Sequence, residues 1–552
     1  MPNARILLAA CLPALVAFAC AAAPAAAQWS ESRMTIIPTD ASLHSKYRAE
    51  LDRDADGNFY VALEESQVCN FGSVSPAGAW RWGHGDYEYD SVYGAAQSHV
   101  PDGSGGYFFA YRNQSSNGYL QHFRGDGVQD WGTVDGLPLG SSYSQSVIAD
   151  AGGGAYVAWE TGSGVRLQRF LAGGVVAPGW SPAGRFFAGK TAPALASDGS
   201  GGVLLLFLTF SQAMLTRVLP DTTIAPGWTA SGLVLGAAGN GSLWKSMMLP
   251  SSSDHVIALW PAPSNGVPTF TIAMRVGLDG SADPAWPVGG RYLVGDADFY
   301  RGPAHQAEAL ADGSGGLNFV WTDSSTALPR WTHVLSNGSF APGHAQAGRS
   351  PLDAHAVLGS GARYAVAPSN NGGIVFGWDD SRSGQPPHSR LRWFLSDGSN
   401  DPAVPDTGRI INDTDASSFL QGIQADGVGG VYAIWVYHGE YPYDYLAMNH
   451  MARTPGVNAV PPLVVPSTLA LASPWPNPAR GQIDVRCSLP DDRSATLSLY
   501  DVSGRLQKRV TIAGAGSRSV RLDHLEALPP GVYLLGLAHG GAQRTTRVAL
   551  VR

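Results

Sequence analysis

Charged side chains are scarce in this sequence. Asp, Glu, Lys and Arg make up 14% of its 552 residues, against roughly 25% in an average soluble protein. This scarcity excludes coiled coils and helical bundles rich in Lys and Glu. The formal net charge of −8 argues against a nucleic-acid partner, because proteins that bind phosphate backbones carry basic patches. Hydrophobic residues make up 44% of the chain, which is enough to bury a large core and excludes global disorder.

Cysteine is nearly absent. Of the four cysteines, Cys11 and Cys20 fall in the N-terminal segment, and Cys69 and Cys487 are far apart in the remaining chain. We expect these last two to lie in different domains. The sequence therefore predicts neither a disulfide framework nor a structural zinc site.

Long apolar runs are absent after the first residues. Residues 1–27 have a single charge at Arg5, then an apolar stretch, and end in three alanines. This pattern is typical of a secretory signal peptide, and we expect cleavage after Ala27. A lipoprotein signal ending at Cys20 is the alternative. Because no second stretch is long enough to span a bilayer, the sequence predicts no integral membrane segment. Export by the signal peptide predicts a location outside the cell or on its outer surface.

Glycine is abundant, with 68 residues, and it recurs in a fixed pattern. A Gly-rich turn that opens with Asp or Asn is followed, five residues after its last glycine, by an aromatic residue in an apolar run. Six such turns are Asp102–Gly106, Asp150–Gly154, Asp198–Gly202, Asp312–Gly316, Asn370–Gly373 and Asp426–Gly430. Weaker copies at Asp56-Gly57 and Asp254-His255 bring the total to eight. Because glycine allows the positive φ angles of tight hairpins, each unit is predicted to be a set of short antiparallel strands.

The repeat predicts an all-β fold. Four short strands in each of eight units are typical of an eight-bladed β-propeller, which we place at residues 28–457. Seven blades is the alternative, if the irregular copy at Asp254 is an insertion. The eighth unit lacks a fourth strand, and residues 33–37 resemble one. We therefore expect the N-terminal segment to complete the last blade and close the ring, which leaves no open edge between blades.

The composition changes after a proline-rich linker, predicted at residues 458–470. Residues 467–552 carry eleven Lys and Arg against six Asp and Glu, whereas the preceding part is acidic. Alternating apolar residues such as Leu497 and Leu499, with a turn at Ser503-Gly504, predict a small β-sandwich at residues 471–552.

The same segment carries a series of short motifs. An Asn-Pro pair is followed by a strand ending in Leu-Pro, a Tyr-Asp-x-x-Gly-Arg turn, Gly-Val-Tyr and a basic C-terminal strand. The motif residues are Asn477, Pro478, Tyr500, Asp501, Gly504, Arg505, Gly531 and Tyr533. This series resembles the C-terminal sorting domain of the type IX secretion system and is similar to the immunoglobulin-like domain of flagellar hook-capping proteins. The resemblance implies an immunoglobulin-like fold, the type IX machinery as partner, and release or attachment at the cell surface.

A calcium-loop opening lies in the first unit. Asp52, Asp54 and Asp56 alternate before a glycine, as in loops whose oxygens converge on Ca²⁺. The pattern is incomplete, because Leu63 stands where the loop would carry its bidentate carboxylate. The alternative is a turn whose side chain bonds its own backbone.

Carboxylates also recur at the end of the second strand of several units. The set comprises Glu64, Glu65, Glu160, Asp323, Asp379 and Asp380. Around one mouth such groups could act as general acid and base, with Asp323, Asp379 and Asp380 as the catalytic candidates. The alternative is structural capping, because a repeated residue is what a repeated contact needs. The neighbouring tryptophans are predicted to be core residues.

Together these features favour a non-enzymatic surface or secreted scaffold that binds a glycan, a protein or a matrix component. A polysaccharide-active hydrolase or lyase that uses the propeller mouth is the first alternative. A purely structural surface component is the second. A fold of this kind supports many functions, so the function has to be inferred from the geometry and chemistry of the site.

Overall fold

The computed structural model describes most of the chain after its N-terminal segment. The described residues are 34–37, 48–54, 56–65, 68–75, 80–88, 98–113, 115–133, 135–150, 152–239, 246–263, 270–294, 307–323, 326, 328–352, 364–380, 388–411, 418–438, 444–453, 469–471, 474, 477–489, 493–512 and 516–551. The predicted signal peptide and most of the predicted linker lie outside these residues, as do the side chains of Glu64, Glu65 and Cys69. Within them, no helix has the length and apolar character needed to cross a membrane.

Short strands account for nearly all the regular structure. Those in the first part of the chain are β1 (Met34–Ile37), β2 (Arg48–Arg53), β3 (Phe59–Glu65), β4 (Val68–Val74), β5 (Trp80–Glu88), β6 (Ser98–Pro101), β7 (Tyr107–Arg112), β8 (Asn117–Phe123), β9 (Leu137–Ser141), β10 (Gln145–Ala149), β11 (Ala155–Thr161), β12 (Gly164–Leu171), β13 (Val175–Val176), β14 (Arg185–Ala188), β15 (Thr191–Ser197), β16 (Val203–Leu208), β17 (Gln212–Val218) and β18 (Leu233–Ala237). The next are β19 (Met247–Ser252), β20 (His255–Pro261), β21 (Phe270–Gly277), β22 (Arg291–Val294), β23 (Ala307–Ala311), β24 (Leu317–Asp323), β25 (Leu328–Val334), β26 (Tyr364–Pro368), β27 (Ile374–Asp380), β28 (His388–Trp393), β29 (Arg409–Ile410), β30 (Ser418–Ala425), β31 (Val431–His438) and β32 (Asp444–Met451).

These strands form small antiparallel sheets, and all but the last are made only of strands that are consecutive in the sequence. We number them sheet 1 (β2–β5), sheet 2 (β6–β9), sheet 3 (β10–β14), sheet 4 (β15–β18), sheet 5 (β19–β22), sheet 6 (β23–β25), sheet 7 (β26–β29) and sheet 8 (β30–β32 with β1). Sheet 6 departs from the four-strand pattern, because a single bridge between Trp331 and Arg349 stands where a fourth strand was predicted. Each predicted Gly-rich turn that has described residues joins the first strand of a sheet to the second strand of the same sheet.

The turns show why glycine is needed there. Gly103 and Gly105 have φ angles of 75° and 88°, in the left-handed region that residues with a side chain rarely adopt. A Cβ on Gly106 would lie 2.5 Å from the carbonyl oxygen of Phe123 on the third strand. The Asp102–Gly106 turn therefore depends on glycine for both its backbone angles and its close approach to β8.

The first strands of successive sheets lie against one another. Contacts join β2 to β6, β6 to β10, β10 to β15, β15 to β19, β19 to β23, β23 to β26 and β26 to β30, and β30 in turn contacts β2. Three of the steps include hydrogen bonds: between His99 Nδ1 and Asp52 Oδ2 at 2.5 Å, from Val147 N to Ser98 Oγ at 2.9 Å and from Leu195 N to Ser146 Oγ at 3.1 Å. The first strand of the first sheet is thus a neighbour of the first strand of the last.

The N-terminal strand β1 completes sheet 8. It pairs antiparallel with β32, placing Met34 opposite Met448 and Thr35 opposite Ala447. The prediction that this segment would supply the missing fourth strand is confirmed. Residues more than 400 positions apart in the sequence therefore share one sheet.

The hydrophobic cores lie between neighbouring sheets. One cluster joins sheets 4 and 5 around Trp228 and Trp260, and another joins sheets 7 and 8 around Trp393 and Trp435. The second-strand tryptophans at 159, 321, 378 and 435 are all at most 3% exposed. Their prediction as core residues is confirmed, because no ring face is open to a ligand.

The C-terminal part forms a separate core between two further sheets. Its strands are β33 (Ala470–Leu471), β34 (Ile483–Leu489), β35 (Ala495–Tyr500), β36 (Leu506–Ile512), β37 (Gly516–Leu522), β38 (Gly531–His539) and β39 (Ala542–Leu550). Sheet 9 has the order β33-β34-β37, and sheet 10 has the order β36-β35-β38-β39. Apolar residues from both sheets, including Val485, Leu497 and Leu535, make one buried cluster. The predicted two-sheet sandwich is therefore present, and its buried Cys487 is a free thiol.

Candidate functional site

In four of the Gly-rich turns, the carboxylate of the opening aspartate closes the turn. Asp102 Oδ1 accepts hydrogen bonds from the backbone of Ser104 at 2.6 Å and of Gly106 at 2.8 Å. The same pair of bonds recurs at Asp198, Asp312 and Asp426. A short acidic side chain is suited to this position because it reaches its own backbone two and four residues ahead.

The second carboxylate oxygen of each aspartate binds a basic side chain on the third strand of the same sheet. The pairs and their distances are Asp102 with His122 (3.1 Å), Asp150 with Arg169 (2.9 Å), Asp198 with Arg217 (2.9 Å), Asp312 with His333 (3.0 Å) and Asp426 with His450 (2.9 Å). Sequence reasoning missed these partners. A basic residue recurring roughly 20 positions after each turn aspartate was the available signal.

Several of these basic side chains also reach the next sheet. Arg169 Nη1 donates to the carbonyl of Pro220 at 3.3 Å, and Arg217 Nη1 donates to the carbonyl of Leu278 at 3.2 Å. His333 Nδ1 lies 2.8 Å from the carbonyl oxygen of Ser396. The turn aspartates therefore organise contacts between sheets as well as their own hairpins, which is a structural role.

His122 lies between two carboxylates. Its Nε2 is 3.1 Å from Asp102 Oδ2, and its Nδ1 is 2.6 Å from Asp130 Oδ1. Burial opposes a charge on the ring, but the hydrogen bonds to Asp102 and Asp130 outweigh burial and raise the pKa of His122. Burial likewise opposes the charge of Asp102, yet hydrogen bonds from His122 and Ser104 lower the pKa of that carboxyl. Because both ring nitrogens face carboxylate oxygens, this environment favours the imidazolium form of His122.

The three aspartates of the calcium-loop motif do not converge. Asp54 uses both oxygens, accepting bonds from the backbone of Asp56 and Asn58, from the Asn58 side chain and from the Tyr60 hydroxyl. Asp52 Oδ2 lies 2.5 Å from His99 Nδ1 and accepts a bond from the hydroxyl of Tyr107 at 2.8 Å. Among the described residues, no group of three acidic, His or Cys side chains is placed to hold a metal. These contacts correspond to the turn alternative and give the calcium prediction no support.

Two of the second-strand carboxylates cap the first strand of the next sheet. Glu160 Oε2 accepts the backbone N–H of Ala192 at 2.8 Å, and Asp379 Oδ1 accepts that of Leu420 at 2.8 Å. Both backbone N–H groups lie where the register of the first strand shifts. The shift follows Thr191 in sheet 4 and Leu420 in sheet 8. Each carboxylate therefore accepts a backbone N–H at a point where the regular pairing of the sheet is interrupted.

The three catalytic candidates have separate partners. Asp380 Oδ2 pairs with Arg390 Nε at 2.9 Å, and Asp323 Oδ2 lies 3.5 Å from Arg330 Nε. Asp379 and Asp380 are successive residues of β27, so their side chains project to opposite faces of sheet 7. The described side chains therefore do not form the acid–base pair that the hydrolase alternative requires at these three positions.

Exposed aromatic side chains lie at the end of the sheets opposite to the Gly-rich turns. Tyr143 precedes β10, Phe210 lies between β16 and β17, and Phe419 is at the start of β30. Their side chains are 51%, 79% and 40% exposed. In each sheet the first strand begins at the end where the second strand finishes. The three aromatic side chains therefore lie at the same end of the sheets as Glu160 and Asp379.

The predicted sorting-motif residues hold the C-terminal sandwich together. The Asn477 amide donates to the carbonyl of Arg547 at 3.1 Å and accepts from Ala549 N at 2.8 Å, so it pairs with the last strand. Asp501 Oδ1 accepts the backbone N–H of Ser503 and of Arg505, each at 3.0 Å, which closes the turn.

Other motif residues contribute packing or surface. The Tyr533 ring is buried, and its hydroxyl donates to the carbonyl of Pro529 at 2.7 Å. Gly504 has a φ angle of 80°, and the Asn477–Pro478 peptide bond is cis. Tyr500, Arg505 and Gly531 have at least part of their surface exposed.

Three solved structures that resemble this chain are all distant likenesses. The SapL1 lectin in complex with alpha methyl fucoside is 10% identical, with 58% of this chain and 98% of that chain covered and a TM-score of 0.33. The dihydro-heme d1 dehydrogenase NirN is 10% identical over 91% and 82% of the two chains, with a TM-score of 0.36. The NanB sialidase of Streptococcus pneumoniae is 9% identical over 76% and 70%, with a TM-score of 0.33. At these TM-scores the likenesses carry no argument about fold or ligand.

No curated protein sequence matches the chain. Residues 473–551 match one family model, described as the secretion system C-terminal sorting domain. This match agrees with the resemblance drawn from the motif residues. Domains of this family mark proteins for export by type IX secretion, so the chain carries at residues 473–551 a sorting domain that directs it to the cell surface or the extracellular space.

Proposed function

We propose that this protein is an exported binding scaffold, an eight-bladed β-propeller at residues 28–457 followed by an immunoglobulin-like sorting domain at residues 471–552. The blade count is supported by the eight sheets whose first strands contact one another in sequence order and whose last member contacts the first. The pairing of β1 with β32 supports a ring that the N-terminal segment closes.

The observation that carries the binding function is the distribution of polar and aromatic groups at one end of the sheets. The carboxylates there bond backbone N–H groups and arginines, whereas Tyr143, Phe210 and Phe419 are exposed. Aromatic faces with a rigid support bind sugar rings or apolar protein surfaces at little entropic cost. A glycan, a protein or a matrix component at this end is therefore the ligand class that we propose.

A screen of the full exported chain on an array of glycans and polysaccharides tests this proposal. We expect retained protein without released sugar, and about tenfold weaker retention for Tyr143→Ala and Phe210→Ala. Val175→Ala is the matched control, because Val175 is 63% exposed at the opposite end of sheet 3. Equal loss in all three variants would contradict the proposed face. A parallel screen without calcium tests whether Asp52, Asp54 and Asp56 matter to retention.

A polysaccharide-active enzyme is the second candidate, and Glu160 is the residue that favours it. Burial raises the pKa of Glu160, and hydrogen bonds from Ala192 and Ser144 offset this only in part. Both of those bonds go to Oε2, which leaves Oε1 for a ligand. A carboxyl with a raised pKa at an open end is suited to general acid catalysis. Sugar release that Glu160→Gln abolishes would establish this function and overturn the scaffold.

A further inference from the structure

The outward face of sheet 10 carries an apolar row. Tyr500 on β35 is opposite Leu506 on β36 and opposite Leu534 on β38, so the three residues cross the sheet side by side. Leu506 and Leu534 are each 40% exposed, and the neighbouring Val532 is 49% exposed. The alternate residues of β38, such as Leu535, fill the core of the sandwich. We call Tyr500, Leu506, Val532 and Leu534 the apolar row.

Three arginines surround this row. Arg547 on β39 is opposite Leu534, Arg509 on β36 is opposite Ser498, and Arg505 ends the turn after Tyr500. All three are exposed, and none of their guanidinium groups makes a hydrogen bond or an ion pair with the described residues. Lys508 on the same strand differs, because its ammonium pairs with Asp523 at 2.7 Å.

The motif residues divide into two groups by what the fold requires of them. Asn477, Asp501 and Tyr533 make the hydrogen bonds that tie the C-terminal strand, close a turn and anchor β38. Tyr500 and Arg505 belong to the same motif series, yet Arg505 has no side-chain partner among the described residues and part of Tyr500 is at the surface. A contact with a partner outside the domain would explain why Tyr500 and Arg505 belong to the motif series.

We propose that the apolar row, with Arg505, Arg509 and Arg547 at its margin, is the surface by which a protein of the secretion machinery binds this sorting domain. The partner surface has an apolar centre with carboxylates around it. Apolar groups at the centre and arginines at the rim are the usual anatomy of a protein interface. The net positive charge of residues 467–552 also favours an acidic partner. This inference rests on the sorting-domain match and is independent of the proposed binding function.

Export of the full chain from a bacterium that carries a type IX system tests the proposal. The variants are Leu534→Ser and the double change Arg509→Glu with Arg547→Glu, and the readout is the ratio of surface and extracellular protein to periplasmic protein. We expect this ratio to fall about tenfold in both variants. Arg480→Glu is the matched control. Arg480 is also exposed and has no hydrogen bond or ion pair with the described residues, but it lines a pocket with Gln482 and His524 that contains no residue of the row.

Two results would overturn the proposal. One is export of the arginine double variant at the level of the control. This variant removes no side-chain hydrogen bond or ion pair with the described residues, so it decides the question even if Leu534→Ser unfolds the domain. The other is binding of the purified chain to vesicles of anionic phospholipid that the same double variant abolishes, because the row would then bind a lipid surface. Retained export with lost glycan binding, or the reverse, separates this inference from the scaffold function.

Discussion

Replacing His122 with alanine removes the cation between two carboxylates in sheet 2. The side chains of His122 and Asp102 are 9% and 4% exposed, so the change leaves Asp102 charged in a buried place without its partner. Breaking a buried ion pair in this way costs about 3–5 kcal/mol. The backbone bonds from Ser104 and Gly106 to Asp102 remain, and they keep the loss toward the lower end of that range.

Hydrogen exchange measured by mass spectrometry on peptides of β8 reports this loss locally. A loss of 3 kcal/mol corresponds to roughly 100-fold faster exchange, since each 1.4 kcal/mol is a factor of ten. Peptides of β17 in sheet 4 serve as an internal reference, because Arg217 and Asp198 form the equivalent pair there. Acceleration below about fivefold in β8 would refute the reasoning, because the pair would then contribute almost nothing.

The pH dependence of exchange provides a second and sharper test. The pKa of His122 is raised in the folded protein, so its contribution is complete below the unfolded value of about 6.5 and is lost as the pH rises through the folded value. The pKa of Asp102 is lowered, so its contribution is complete above about 3.9 and is lost as the pH falls through the folded value. The cluster therefore stabilises sheet 2 most between about pH 4 and 6.5.

The variant His122→Arg keeps a positive charge at this position but removes its titration near neutral pH. Arg169 and Arg217 occupy this position in sheets 3 and 4 and bind the same kind of turn aspartate, so an arginine fits the site. Because arginine stays charged throughout, the variant should lose the alkaline-side decline in protection while keeping the acid-side decline. If wild type and His122→Arg decline alike between about pH 6.5 and 9, the imidazolium assignment is wrong.

Deleting residues 34–37 should destabilise sheet 8 by about 3 kcal/mol, because β32 loses the pairing of an edge strand, and faster exchange in β32 but not in β21 would show it. Asp379→Ala should lower the thermal midpoint through about 2–3 kcal/mol from lost bonds to Leu420 and Ser389, whereas unchanged stability would contradict its capping role. Glu160→Gln should gain stability relative to wild type as the pH rises above about 4.3, because a raised folded pKa makes ionisation of Glu160 unfavourable, and a flat difference in midpoint between about pH 4 and 8 would contradict this. Asn477→Ala should loosen the last strand by about 1–2 kcal/mol, seen as faster exchange at residues 547–551, while exchange in β36 stays unchanged.

The repeated Gly-rich turns made the hairpins predictable, because the turn residues and the alternating strands are local properties of the sequence. The same holds for the C-terminal sandwich, where the order of motifs pointed to a sorting domain that the family match bears out. The pairing of β1 with β32 could also be anticipated, since the last unit lacked one strand and the N-terminal segment resembled it.

The roles of the acidic residues depended on tertiary structure. Asp52 was grouped with Asp54 as a metal ligand, yet it bonds His99 of the next sheet, some 47 residues away in the sequence. Glu160 and Asp379 were grouped with other carboxylates at one mouth, yet each caps a backbone N–H of a neighbouring sheet.

Sequence by itself determined what is local or repeated: short antiparallel hairpins, buried second-strand tryptophans and a basic C-terminal sorting domain. Only the tertiary structure decided the partners of Asp52, Glu160 and Asp379, because those partners lie on adjacent sheets whose approach depends on how whole sheets pack. The exposed apolar row of sheet 10 belongs to the second kind, since it joins Tyr500, Leu506 and Leu534 from three strands only after the sheet has formed.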